Sequence, residues 1–429
     1  MKKDLSIIIL AAGAGTRMKS SLPKVLHKIS GFEMLYYSVL EAKKLSDDIT
    51  VVLYHQASKV QETMEKYFDD IKYTIQDHQN YPGTGGAVMG ITPTHKKTLV
   101  LNGDMPLIEA SELESLIGDE TLTMSVLNLE SADGYGRVII ENNQVTKIVE
   151  QKDCNTDELK VNTANAGIYC FDTEFLLQNL PKLSNNNAQK EYYITDLVEL
   201  AIEQNKSVKP IVVKQENFKG VNSKFDLASA EVIHQNRIKE NFMKSGVIMR
   251  LPDTIYIEYG VKIEGESIIE NGVSLLGDTH IINSHIKSNT VVEDSILKNS
   301  DAGPMARIRP NSDLKNTHIG NFVETKKAKL SGVKAGHLSY LGDCQIDSGS
   351  NIGAGTITCN YDGKNKYKTT IGKNVFVGSD TQLIAPVTIQ DDVMIAAGST
   401  ITSDVNSGDL AISRTKQKSI KGFFYKFFK

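Results

Sequence analysis

No stretch of this 429-residue sequence reaches the roughly 18–20 apolar residues that a membrane helix needs. The opening MKKDLSIII is basic and then apolar, but the apolar run is short and leads straight into glycine, so no signal peptide is expected. Excess charge of one sign is missing too. The net charge is −4, which gives no support for a nucleic-acid partner. Cysteine is scarce: Cys154, Cys170, Cys344 and Cys359 are widely spaced and form no C-x-x-C pair. That pattern favours free thiols in a reducing cytoplasm over disulfides or zinc. These absences point to a cytoplasmic protein with no stable membrane insertion. What is present is an ordinary apolar fraction over a length suited to two domains.

The most informative stretch is LSIIILAAGAGTRMKSSLPKVLHK, starting at Leu5. Its apolar run, Ser6 to Leu10, reads as a buried parallel strand. The strand breaks into a small-residue loop, Ala11 to Gly15. Gly13 and Gly15 can take positive φ and carry no Cβ, so backbone N–H groups can close around phosphate oxygens. Arg17 and Lys24 then supply cationic donors for the same anion. The third glycine of the dinucleotide fingerprint is missing, and so is the Gly-Lys-Ser/Thr ending of the P-loop, which excludes both. A turn that merely packs is the competing reading, and the tightness of the motif argues against it.

The two halves of the chain differ in texture. In the first, strands at 49–54, 98–101 and 121–127 alternate with helices at 33–45 and 57–68, which predicts an α/β domain with a largely parallel sheet. Residues 137–148 read as a hairpin turning at Asn142 and Asn143, and 226–244 as a connecting helix. Beyond it the apolar period becomes six: Ile371, Val377, Leu383, Ile389, Ile395 and Ile401 follow without a slip. Ile263, Ile269, Leu275 and Ile281 keep the same step. A coil of three short parallel strands makes such a period, with one inward residue per face and a small residue at each corner. The repeat breaks at 300–318 and 358–370, and insertions in a solenoid are where sites tend to sit.

The loop motif L-x-x-G-x-G-T-R-M followed by P-K resembles that of the sugar-phosphate nucleotidyltransferases. The resemblance implies a Rossmann-like domain in which Leu10, Ala11, Ala12 and Gly13 line the nucleotide, with Arg17 and Lys24 on its phosphates. Further stretches resemble the N-acetylglucosamine-1-phosphate uridyltransferases. Gln76, Gly83 and Thr84 match the uracil-reading segment, with two extra residues around Asn80 to Pro82. Asn102-Gly103-Asp104 stands where that family usually has Tyr-Gly-Asp. An aspartate beside a loop of phosphates is repelled unless a hard cation lies between them. The resemblance implies Mg2+ held by Asp104 and Asn222, and a sugar site built from Gly136, Glu150 and Asn165. The stretch Asn185 to Asp196 matches as well. The implied chemistry is in-line attack of a sugar phosphate on the α-phosphorus of UTP, with no covalent enzyme intermediate.

The C-terminal stretches NFVETKK, KAGHLSYLGD, IGAGTITCNYD and FVGSDTQLIAP resemble the glucosamine-1-phosphate N-acetyltransferase half of the bifunctional enzyme whose first half is that uridyltransferase. The fold implied is a left-handed parallel β-helix of hexapeptide repeats, assembled as a homotrimer. His337 then falls at the base that takes a proton from the glucosamine amine, a task suited to imidazole. Arg309, Lys326, Tyr340 and Asn351 match the sugar-phosphate ligands. Ala354, Asn360, Tyr361, Ser379, Ala397 and Arg414 match positions near acetyl-CoA. The domains expected are a uridyltransferase at 1–225, a connecting helix at 226–247 and an acetyltransferase at 248–429. A nucleotidyltransferase whose solenoid only oligomerises or regulates, and an inert scaffold, are the alternatives. The KAGH stretch argues against the first, and the pairing of Arg309 with Lys326 against the second. The basic, aromatic residues 414–429 read as a frayed or docked terminus ahead of a weak membrane-surface attachment.

Overall fold

The computed structural model describes residues 4–133, 135–149, 151 and 154–428. The chain divides into two compact units, Met1–His234 and Gln235–Lys429. The boundary falls inside one helix, Lys224–Lys244, in the region read as a connecting helix.

The first unit is built on one large sheet, beside a short antiparallel pair formed by Lys28–Ile29 and Phe32–Glu33. The apolar run after Asp4 forms its buried central strand, β1 (Leu5–Leu10). β1 pairs in parallel with β2 (Asp48–Leu53) and with β4 (Lys97–Asn102), and β2 pairs in parallel with β3 (Lys72–Ile75). On the other side, β8 (Thr163–Asp172) lies antiparallel between β4 and β5 (Leu122–Asn128), and β9 (Val208–Val212) runs parallel to β5 at the edge. The main path of the sheet is thus largely parallel, as the sequence suggests, and β8 makes it mixed by running against both of its neighbours. β8 lacks a clean alternation, and its register slips between Asn165 and Tyr169, which conceals it in the sequence. The expected hairpin is present as β6 (Arg137–Glu141) and β7 (Gln144–Val149). Its turn residues Asn142 and Asn143 have φ of 49° and 60°, the left-handed pair that a two-residue hairpin loop requires.

β1 and β4 end at the same edge of the sheet. There Gly103 N–H donates to Leu10 C=O at 2.9 Å, and Ala11 N–H donates to Val52 C=O at 2.9 Å. The loop after β1 thus opens at the carboxyl ends of parallel strands, where such sheets hold ligands. Gly15 takes φ 61°, but Gly13 stays outside the left-handed region. Of the two glycines that can take positive φ, only Gly15 does so. At Gly13 the lack of a side chain has a different effect: a Cβ there would meet nothing within 4 Å, so the glycine leaves open space beside the loop.

The second unit is a three-faced coil. Its strands form parallel sheets of ten, nine and eight members, each pairing with the strand one coil on. One face stacks Ile281, Leu297, Leu314, Leu330, Ile346, Ile371 and Ile389, all at most 1% exposed. The step of six holds from Ile371 to Ile401. Between, several corners are one residue shorter: Leu297 to Ala302, Leu314 to Ile319, Leu330 to Ala335 and Leu341 to Ile346 are all five apart and fully inward. The expected break at 300–318 is therefore no break; the coil continues through it with tightened corners. Asn299, Asn316, Gly332 and Asp343 take a left-handed φ at these four corners, a conformation that glycine, asparagine and aspartate adopt at low cost. The insertion at 358–370 is real. Ile352 pairs with Val377, twenty-five positions on, whereas Val377 pairs with Ile395, eighteen on.

At one corner the coils approach too closely for a side chain. A Cβ on Gly320 would lie 1.8 Å from the carbonyl oxygen of Gly336 in the next coil. Gly320→Ala should therefore destabilise the solenoid by about 1–3 kcal/mol. The solenoid's urea-unfolding midpoint measures this, and an unchanged midpoint would refute the close-packed corner.

Candidate active sites

In the first unit a cavity of about 470 Å³ opens at the carboxyl edge of the sheet. Leu10, Ala11, Ala12, Gly13, Lys24, Gln76, Gly83, Thr84 and Asp104 all border it, so the structure gathers these expected residues in one place. The two extra residues near Asn80 do not displace Gln76. They sit in a turn in which Tyr81 N–H donates to Asp77 C=O at 2.8 Å and Asn80 bonds the Asp77 carboxylate. The Gln76 amide donates to Tyr81 C=O at 2.9 Å and Gly83 C=O at 3.0 Å, tying the cavity wall to the start of the Gly83–Val88 helix. Gly83 has φ 93°, and a Cβ there would lie 2.6 Å from Tyr192 C=O, so only glycine fits.

The charged end of the cavity is organised by Lys24. Its ammonium contacts the Asp104 carboxylate and donates to Asn222 Oδ1 at 3.2 Å. Arg17 donates to the same Asn222 oxygen at 2.8 Å. Gly15 permits this arrangement, since a Cβ there would lie 2.6 Å from Lys24 Cβ. Asn222 is held by a reciprocal cap at the start of helix Lys224–Lys244. Ser223 Oγ donates to Asp226 Oδ2 at 2.8 Å, and Asp226 N–H donates back to Ser223 Oγ at 3.1 Å. Burial pushes the Asp226 carboxyl up, but bonds from Ser223, Lys219 and the Asn222 N–H outweigh it and hold the group below its ordinary value. A carboxylate and an amide oxygen thus converge on one cationic centre. Two hard oxygen donors with open space beside them suit a small divalent cation that keeps most of its other ligands as water and phosphate.

A second cavity, about 620 Å³, shares Leu10, Thr84 and Asn102 with the first and is also bordered by Asn165 and Asn187. Asn102, in the place of the usual tyrosine, donates to Gly167 C=O at 3.1 Å and so ties β4 to β8 between the two cavities. Asn165 donates to Tyr169 Oη at 2.6 Å. Gly136 borders neither cavity; it lies next to Arg137, whose buried guanidinium donates to Ala132 C=O at 2.6 Å. Glu150 lies outside the described residues. Tyr54 and His78, which no sequence signal singles out, also border the first cavity and stack at 4.6 Å. They sit after separate strands, and no local motif joins them.

The second constellation is ordered by coil register. Asn321 pairs with His337, and the pairings Ala335–Ile352, Ile352–Val377 and Val377–Ile395 continue that line. His337, Ala354, Ser379 and Ala397 therefore occupy one column along a single corner of the coil. Arg414 closes its far end by donating to Ala397 C=O at 2.6 Å. Ser339 Oγ pins the corner at His337 by donating to His337 C=O at 2.8 Å and contacting Gly353 C=O at 3.2 Å. The imidazole is exposed. Tyr340 begins the next face after this corner, and Asn351 lies one coil on, paired with Lys334.

Arg309 and Lys326 follow the paired residues Ile308 and Thr325 and so sit in adjacent coils. Arg309 is held by Glu324 at 2.7 Å. Asn360 and Tyr361 lie on the insertion, outside the column. Asn360 bonds the Asp343 carboxylate, and Tyr361 pairs across a tight turn with Lys366. That turn delivers a cation that no sequence motif announces. The Lys366 ammonium beside Lys326 holds Lys326 below its ordinary value, with burial and Arg309 adding to the effect. Facing cations of this kind are suited to a doubly charged phosphate.

Comparison with known proteins matches these units separately. Residues 7–139 match the MobA-like NTP transferase domain, and residues 368–403 match the bacterial transferase hexapeptide (six repeats), in keeping with a left-handed β-helix. A protein of Aliarcobacter butzleri (strain RM4018) named bifunctional protein GlmU is 75% identical over 423 residues, covering 99% of this chain and 98% of that protein. Proteins of the same name from Sulfurovum sp. (strain NBC37-1) and Wolinella succinogenes are 60% and 61% identical over 426 residues, covering 99% of each chain. Relatives this similar run through both units, and the chain belongs to the bifunctional GlmU family.

Proposed function

We propose that the chain makes UDP-N-acetylglucosamine in two steps, acetylating glucosamine 1-phosphate with acetyl-CoA and then uridylylating the product with UTP. The observation that carries this reading is the presence in one chain of two unlike constellations: cations and oxygen donors around a cavity in one unit, and a histidine heading a column of small residues in the other.

In the first step, the amine nitrogen of glucosamine 1-phosphate attacks the thioester carbonyl carbon. The N–C bond forms, the C–S bond breaks and the thiol of coenzyme A leaves. The amine must give up a proton, which the His337 imidazole takes. Arg309, Lys326 and Lys366 hold the sugar phosphate, with Tyr340 and Asn351 beside it. The small residues Ala354, Ser379 and Ala397 leave room for acetyl-CoA along the corner, and Arg414 meets its anionic end.

In the second step, a phosphate oxygen of N-acetylglucosamine 1-phosphate attacks the α-phosphorus of UTP, and pyrophosphate leaves. Leu10, Ala11, Ala12 and Gly13 line the nucleotide, Gln76, Gly83 and Thr84 read the base, and Asn165 serves the sugar. Lys24 and Arg17 hold the phosphates. Asp104 and Asn222 would hold Mg2+, which would supply charge neutralisation for the triphosphate. With nucleotide in the cavity, the Lys24 ammonium would pair with phosphate in place of the Asp104 carboxylate.

The solenoid assembles as a homotrimer in the cytoplasm. Phe376, Met394 and Leu410 stack in one register column and are 50%, 52% and 57% exposed, which suits burial against another copy.

Asp104→Ala should abolish uridylyl transfer and leave acetyl transfer near wild type, because the two constellations lie in separate units. His337→Ala should lower acetyl transfer by about 10²–10⁴-fold and leave uridylyl transfer from supplied N-acetylglucosamine 1-phosphate unchanged. Separate assays of the two half-reactions read both, and equal loss of both activities in either folded variant would overturn the two-site reading. Lys366→Ala should raise the KM for glucosamine 1-phosphate by about 10-fold or more, as expected for loss of a charged hydrogen bond, with little change in the KM for acetyl-CoA. The ratio of the two KM changes decides whether Lys366 serves the sugar phosphate.

A further inference from the structure

The nucleotide cavity carries two rings to which the uridylyl-transfer chemistry gives no task. Tyr54 directly follows β2, and Gln76 directly follows β3. In the sheet, β1 separates both of these strands from β4, which leads to Asp104 and the charged end of the cavity. Gln76 N–H donates to Leu53 C=O at 2.8 Å, so the ladder continues past the strands and sets Tyr54 beside Gln76. His78 N–H donates to Gln76 C=O at 2.9 Å, a three-residue turn that folds the chain back. The Tyr54 and His78 rings then meet, with centroids 4.6 Å apart and planes 26° from parallel. Both border the cavity together with Gln76, Gly83 and Thr84. Stacked rings brace each other, so this stretch of wall resists displacement more than two separate side chains would.

Gln76 decides which part of a base this wall faces. Its amide nitrogen is committed to Tyr81 C=O at 2.9 Å and Gly83 C=O at 3.0 Å, which leaves its carbonyl oxygen as an acceptor. On the reading that UTP occupies this cavity, that oxygen takes the N3–H of uracil. Tyr54 and His78 flank Gln76 and so meet the edge of the base, not its face. One flank of that edge, through C2, leads back to the ribose on N1 and so to the phosphates. The other, through C4 and C5, runs away from them. We infer that the stacked Tyr54 and His78 rings set the size of base the site accepts, by closing the space beside C5 of the pyrimidine. The inference rests on the cavity being the UTP site. Bulk at C5, or the second ring of a purine, has to part the stack or shift Gln76, which its bonds to Tyr81 and Gly83 hold in place. Rejection by a braced wall adds to the choice that Gln76 makes by hydrogen bonding.

The probe is 5-methyluridine 5′-triphosphate, which keeps the ribose, the N3–H and the phosphates of UTP and adds bulk only at C5. Uridylyl transfer to N-acetylglucosamine 1-phosphate by the full chain is measured with each triphosphate, and the ratio of the two kcat/KM values is the readout. Wild type should favour UTP by about 10-fold or more, the usual scale for one excess carbon in a shaped pocket. Tyr54→Ala and His78→Ala should each lower that ratio by about 5-fold or more, because the added methyl then has room. Tyr54→Phe and His78→Phe keep a ring in the wall and should keep the ratio. A merely structural role would lower both kcat/KM values alike and leave the ratio unmoved. A wild type active with UTP that uses the methylated triphosphate equally well, alanine variants with the wild-type ratio, or phenylalanine variants that lose it would each overturn the role of the two rings alone. A wild type that forms no sugar nucleotide from UTP would overturn the reading of the cavity and, with it, this one.

Discussion

The geometry of the N-terminal site hangs on one ammonium group. Lys24 reaches both Asp104 and Asn222, residues from three segments far apart in the sequence. The side chains of Lys24 and Asp104 are only 14% and 17% exposed, so each group has given up most of its water. Breaking such a pair without a substitute leaves a poorly solvated charge, and this keeps the three segments together until other charges arrive to take over. Everything around the pair protects it. Gly15 makes room for the Lys24 stem, the reciprocal cap of Ser223 and Asp226 fixes the backbone at Asn222, and Val221 N–H donates to Asp104 C=O at 2.9 Å.

The solenoid relies on a different constraint. Each coil is bonded in register to the next, so a residue's place along the axis follows from counting. A column of side chains at one corner is then a straight groove edge with no loop needed to shape it. The small residues in the column serve two ends at once: Gly353 and Gly378 permit close coil contact, and Ala354, Ser379 and Ala397 leave the outer side of the corner low. At the insertion after Thr358 the chain leaves the coil for long enough to bring a cation, Lys366, back to the wall beside Lys326.

Much of this is legible in the sequence because it rests on local rules. The loop after β1 declares itself in a dozen residues, and a period of six has few structural meanings. The features that escape depend on contacts between distant residues. The shortened corners hide because a step of five breaks the period while the inward direction survives, each corner turning on one left-handed residue: Asn299, Asn316, Gly332 or Asp343. β8 hides because its bulge at Asn165 to Tyr169 blurs the alternation and because it pairs antiparallel with strands from both sides. Tyr54 with His78 and Lys366 with Lys326 are neighbours only in space. Gly136 shows the reverse case: its motif is clear, yet it borders neither cavity.

The central claim is that one chain carries out both steps in order. The most direct measurement follows the purified protein by phosphorus NMR with glucosamine 1-phosphate, acetyl-CoA, UTP and magnesium in one tube, while release of the free thiol is recorded in parallel. Thiol release should lead, the sugar 1-phosphate signal should then give way to the paired signals of a sugar nucleotide with pyrophosphate appearing in equal amount, and omitting acetyl-CoA should stop both. Sugar nucleotide formed at an undiminished rate without acetyl-CoA, or thiol release that never leads to nucleotide, would contradict it.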